Sequence, residues 1–135
     1  MDLLQYTDSH INQLKRSARS SRLGQIGERV AEKYLLNKGF EILDRNFHTR
    51  NAEIDIIACK NNRLYFIEVK TTINSAIPLI DKVNKRKFYR IYYAGIIWQK
   101  KNGTHSFTGI DLLLMHIKRL RNNKFNVVNC IKVGV

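Results

Sequence analysis

Five side chains in this sequence have the types and spacing to do chemistry together: Glu28, Glu53, Asp55, Glu68 and Lys70. Glu68 and Lys70 sit at the end of an apolar run that begins at Leu64. Strand residues alternate between faces, so Leu64, Phe66, Glu68 and Lys70 share one face, and Glu53 and Asp55 share a face of the preceding run. A charged pair that ends an apolar face needs partners, because unpaired buried charge is costly. Two carboxylates brought together repel each other unless a cation lies between them. Hard oxygen donors favour magnesium or manganese. Such an ion polarises a phosphodiester and lowers the pKa of water, and a lysine beside it stabilises charge on the phosphate. A structural ion pair of Lys70 with Glu68 or Asp55 explains the same spacing without any chemistry, and an E-x-K triplet often arises by accident.

Glu28 adds a third carboxylate. On a helical wheel it lies beside Gly24, Ala31 and Leu35, a strip small enough to approach a sheet closely. Its neighbours at three and four residues are Gly24, Gln25, Ala31 and Glu32. None is basic, so pairing within the helix does not account for it. The plain alternative is a solvated glutamate at the edge of the stripe.

The elements that must position these residues can be read from periodicity. Leu23 to Lys38 has helical spacing, with Gly39 just past its end. Phe40 to Phe47, Glu53 to Cys59 and Leu64 to Lys70 read as strands. Lys60-Asn61-Asn62-Arg63 is a tight turn, which predicts an antiparallel hairpin of the second and third strands. Within it, Asp55 and Glu68 come close. A second helix is expected from Pro78 to about Lys100, carried by Ile80, Val83, Ile91, Tyr92, Gly95 and Trp98 and broken at Asn102-Gly103. Phe107 to Ile117 and Phe125 to Val133 are strands joined by a basic turn. The expectation is an α/β protein: a mixed central sheet flanked by helices, in the order α-β-β-β-α-β-β. Residues 1–20 are expected to form a basic N-terminal segment, and 21–135 the domain.

The 135 residues carry 24 lysines and arginines against 11 acids, a formal net charge of +13. That imbalance points to a polyanionic partner, nucleic acid above all; a lysine-rich coding background is the other source of such a charge. Lys82, Lys85, Arg86, Lys87 and Arg90 make a dense basic stretch with Tyr89, Tyr92 and Tyr93 interleaved. Such a stretch can track a phosphate backbone, and its rings can either stack on unpaired bases or simply pack. Cys59 and Cys130 form no CxxC pair, so structural zinc is not expected, and reduced thiols fit a cytoplasmic protein. No apolar stretch approaches the roughly 20 residues of a membrane span, and the first residues hold no secretory apolar region. The four histidines lack zinc-motif spacing, and no Walker loop, Rossmann fingerprint or serine nucleophile motif is present.

The runs LGQIGERVAEKYLLNKGFEILDRNF, AEIDIIA and LYFIEVKTT, between Leu23 and Thr72, together resemble the YraN-like family of bacterial proteins. That family is placed in the restriction-endonuclease-like, PD-(D/E)xK superfamily and is similar in layout to archaeal Holliday junction resolvases. The likeness continues more weakly through DKVNKRKFYRIYYAG. It implies a restriction-endonuclease-like core, with Asp55 and Glu68 as metal ligands and the carbonyl of Val69 as a third. It also implies that Glu28 reaches the metal directly or through water, that Lys70 is the catalytic lysine, and that Lys87 is the family's lysine on the second helix. Glu53 falls at the family's paired acid. Asn51-Ala52 stands where glycine is usual, His48 and Thr72 where arginine is usual. The implied function is a magnesium- or manganese-dependent nuclease acting on DNA, on branched or damaged forms. The alternatives are a non-catalytic nucleic-acid-binding or DNA-processing accessory protein of the same fold, and a basic protein-interaction module. A homodimer is compatible with each.

Overall fold

The computed structural model describes residues 8–73, 84–103 and 106–134, and for residues 8–21 the backbone alone. Helix α1 runs Asp8–Asn37, followed by strands β1 (Glu41–His48), β2 (Glu53–Lys60) and β3 (Arg63–Ile73). Helix α2 (Lys85–Asn102) leads to β4 (Gly109–Arg119) and, after one turn of 3-10 helix, β5 (Phe125–Val133). The expected order holds. The boundary expected near residue 21 falls inside α1, which continues through it. Pro78, Ile80, Lys82 and Val83, expected in the second helix, lie outside the described residues.

Local chemistry sets the element ends. Helix α1 stops at Gly39, whose φ of 88° is costly for other residues. The Phe40 N–H reaches back to the Leu35 carbonyl and the Gly39 N–H to that of Leu36, closing a Schellman cap. Asn61 and Asn62 take φ of 50° and 62°, the left-handed pair that a two-residue hairpin turn requires. Helix α2 is capped by Asn84, whose side chain accepts a hydrogen bond from the Lys87 N–H, and it ends before Gly103.

The strands lie in the order β1-β2-β3-β4-β5. All neighbours are antiparallel except β3 and β4, which are parallel across the α2 crossover. Each helix covers one face. Ala31 and Leu35 of α1 pack on Ile56, Ala58, Ile67, Leu113, Met115 and Ile117. Phe88, Ile91, Ala94 and Trp98 of α2 pack on Ile54, Ile57, Leu64, Phe66, Leu112 and Leu114. Phe88 is a core residue that the helical spacing did not single out.

Two glycines bring the helices onto the sheet. A Cβ on Gly27 would lie 1.8 Å from Thr71 Oγ1, and one on Gly95 would lie 2.1 Å from the Phe66 ring. The expected contact strip of α1 is therefore corrected. Gly27, Ala31 and Leu35 face the sheet, while a Cβ on Gly24 would meet nothing within 4 Å. Gly24 and Gly27 are three residues apart, and the wheel alone does not say which of them meets the sheet.

Candidate functional site

The β2–β3 ladder pairs Lys60 with Arg63 at one end and Ile56 with Ile67 at the other. The ladder stops at that pair, and just beyond it the hairpin brings Asp55 and Glu68 close enough for the charge on one to act on the other. The Asp55 carboxylate accepts a hydrogen bond from the Val69 N–H at 2.8 Å. A side chain thus satisfies a backbone donor of β3 at the point where the ladder stops.

Alternation along β2 slips at this point. Ile54 and Ile57 pack on the α2 side, and Ile56 and Ala58 on the α1 side. The slip falls between Asp55 and Ile56: Ala52 and Ile54 both pack on the α2 side, so Glu53 and Asp55 share the α1 face as expected, and Glu53 is the largest charge acting on Glu28 of α1. Asp55 lines a cleft of about 310 Å³ on the α1 side, with Glu28, Arg29, Glu32, Arg45 and Asn46. A second cleft of about 250 Å³ opens on the α2 side, where the Ala52–Glu53 stretch of chain meets Asn84, Lys87 and Arg90. The acids sit at a fork that opens to both sides of the sheet.

Glu68 is buried, at 6% exposure. Its Oε1 lies 2.5 Å from the Lys87 ammonium, which reaches it from α2. The ionic partner of Glu68 is therefore Lys87 and not Lys70. Lys70 is exposed and forms no ion pair among the described residues. Of the basic stretch proposed for phosphate contact, Lys87 turns inward to the acids, Lys85, Arg86 and Arg90 are exposed, and Lys82 lies outside the described residues.

The electrostatics follow from this crowding. Burial, then the charge on Glu68, push the Asp55 carboxyl up to about 8; the Val69 N–H works in the opposite direction, and Glu28 and Glu53 add to the rise. Glu28 is also raised, by burial and then by Glu53, with partial relief from a hydrogen bond to Asn46. Among the described residues no three His, Cys, Asp or Glu side chains converge as a ready cage for an ion. The donor set is nevertheless one that suits a hard cation: partly buried carboxylate oxygens, with Asp55 and Glu28 both raised by burial and by the neighbouring acids. A larger cleft of about 770 Å³, lined by Leu23, Ile26, Ile73 and Phe125, contains no acid and lies away from the fork.

Sequence reasoning missed three residues of the α1-side cleft. Arg45 forms a two-pronged bond with Glu32, and this holds the Glu32 carboxyl below its ordinary value. Asn46 contacts Glu28 from a backbone at φ 50°. An asparagine inside a strand is the one signal that could have pointed here, since it tolerates the left-handed region better than most residues.

The fold and the site define a mixed α/β protein with an acidic cluster at the fork between two sheet strands. Residues 27–129 match the family described as "Uncharacterised protein family UPF0102". A UPF0102 protein of Campylobacter jejuni is 43% identical over 90 residues, 67% of this chain and 80% of the relative. One from Campylobacter lari is 39% identical over 102 residues, 73% of this chain and 90% of the relative. One from a Nitratiruptor species is 38% identical over 97 residues, 72% and 85% of the two chains. The chain belongs to the UPF0102 family.

Proposed function

We propose that this chain is a magnesium- or manganese-dependent nuclease of the restriction-endonuclease-like superfamily, cutting DNA phosphodiester bonds at branched or damaged structures. The observation that carries the reading is the acidic fork itself. The chain holds only 11 acids against 24 bases, yet Glu53 and Glu68 crowd Glu28 and Asp55 at one place and raise both. A protein that merely held a polyanion would gain nothing from acids gathered there, and their repulsion has a use if a divalent cation joins them. Asp55 and Glu68 would hold the ion, with the Val69 carbonyl as a third donor and Glu28 direct or through water. When bound, it supplies Lewis acidity toward the phosphodiester and the attacking water. Lys70, exposed and without an ionic partner among the described residues, is free to place its ammonium against the phosphate. A cytoplasmic setting accords with Cys59 and Cys130, both free thiols.

One observation favours a second reading, a non-catalytic DNA-binding protein of the same fold. Lys87 already compensates Glu68 without any metal. Cleavage of linear, flapped and four-way DNA with each metal separates the two. The nuclease reading expects cutting of at least one substrate, and Lys70→Met is expected to lower it by a factor on the order of a hundred while the melting temperature holds. No cutting of any substrate with either metal leaves the binding protein. A variant that still cuts but melts earlier removes Lys70 from the chemistry.

A further inference from the structure

The tyrosines on the outer arc of α2 have no part in the acidic site. Tyr89 and Tyr93 stand there at 48% and 64% exposure. They lie one turn apart, and the Tyr93 ring rests edge-on against Tyr92, with centroids 5.9 Å apart. Lys85, Arg86 and Arg90 are exposed on the same arc, and none has a carboxylate partner among the described residues. The helix has no acid in its first turn. Cations there oppose the helix dipole, so they cost the helix stability unless an anion is bound. From the arc, Arg90 leads inward, because it lines the α2-side cleft with Lys87 and Glu53.

We infer that this arc is a binding ridge for single-stranded nucleic acid, with Tyr89 and Tyr93 stacking on unpaired bases and Lys85, Arg86 and Arg90 holding the phosphates. That the strand is then led toward a cutting site rests on the proposed function; the binding itself does not. Residues one turn apart are separated by about 6 Å along the axis. That is wider than the roughly 3.4 Å step of stacked bases in a duplex strand, so the rings suit an unstacked strand. Stacking on rings tolerates any base, and cations supply the sequence-independent remainder. The charge excludes a second copy of this face as the occupant. The helix carries lysines and arginines at 85, 86, 87, 90, 100 and 101 and no acid, so two such faces repel.

Fluorescence anisotropy with an oligothymidine and with a duplex of equal length, both in EDTA, tests the ridge. Both tyrosines are exposed helix positions where alanine is well tolerated, and circular dichroism melting checks that the fold survives. Replacing both by alanine is expected to weaken oligothymidine binding about tenfold or more while duplex binding holds, and replacing both by phenylalanine to restore it. Equal loss on both probes, or no loss on either, overturns the proposal. So does unchanged oligothymidine binding together with lost binding to phosphatidylserine vesicles, which would make the ridge a membrane contact. Because metal is absent, a protein that cuts nothing can still show the ridge, and an active nuclease can fail to.

Discussion

The Asp55 carboxyl meets two opposing demands. The Val69 N–H prefers it ionised, whereas burial and the charge on Glu68 prefer it protonated, and the second pair wins, lifting it from 3.8 to about 8. A group whose folded pKa lies above its unfolded value binds more protons in the folded state, so its share of stability is full below the unfolded value and fades as pH rises. For Asp55 that window runs from 3.8 to about 8. In EDTA the melting temperature of the native chain should therefore fall relative to Asp55→Asn across this window, and the gap should level off above it. Asparagine keeps an oxygen for Val69 and cannot ionise. Manganese should bind the native chain more tightly as pH rises toward 8, with a proton released on binding, and should not bind Asp55→Asn detectably by calorimetry. A melting difference flat in pH, or equal binding to both proteins, would return the acids to a structural role. The meeting of Asp55 with Glu68 was legible in the sequence because it follows from a two-residue period and a tight turn. The change of alternation between Asp55 and Ile56 was not, because a one-residue slip in β2 leaves no mark in residue type.

At the scale of elements, the site is held by how closely two helices approach the sheet. Gly27 sits against Thr71 and is followed directly by Glu28, so the same approach that buries α1 carries Glu28 to the fork. On the other face Gly95 lies on Phe66, and one residue pair on α2, Trp98 with Asp44 of β1, fixes the helix by a 2.9 Å hydrogen bond. Alanine at Gly95 must displace the Phe66 ring, so Gly95→Ala is expected to cost about 1–3 kcal/mol in denaturant unfolding despite its better helix propensity. Gly24→Ala meets nothing and is expected to add up to about 1 kcal/mol. The pair is its own control: equal effects would mean that helix propensity, not packing on Phe66, sets the outcome. Strands and hairpin were legible as apolar runs between turn residues. Which glycine touches the sheet was not, since a wheel gives angles about a helix axis without the position of the sheet.

Across the whole molecule, three of the 11 acids hold four bases in ion pairs among the described residues. Glu32 holds Arg45, Asp111 holds Arg63 and Lys132, and Glu68 holds Lys87. Asp111, though burial works against it, is kept below its ordinary value by hydrogen bonds from Lys132 and Arg63. Most of the +13 excess is thus left to act outward. No helix among the described residues is long and apolar enough to cross a membrane. A duplex that meets this charge must shed condensed counterions, so log affinity should fall linearly with log salt, by about 0.9 for each phosphate neutralised. Changing Lys85, Arg86 and Arg90 together to glutamine should lower that slope by about 2 to 3. Asp55→Asn should leave the slope alone and match or exceed the native affinity, since it removes at most one negative charge near the phosphates. The readout is binding of a labelled duplex across a salt series. A flat response in the native chain would remove nucleic acid as the partner, whatever the acidic fork does. A steep response left intact by the triple change would move the contact away from α2 to other cations of the surface.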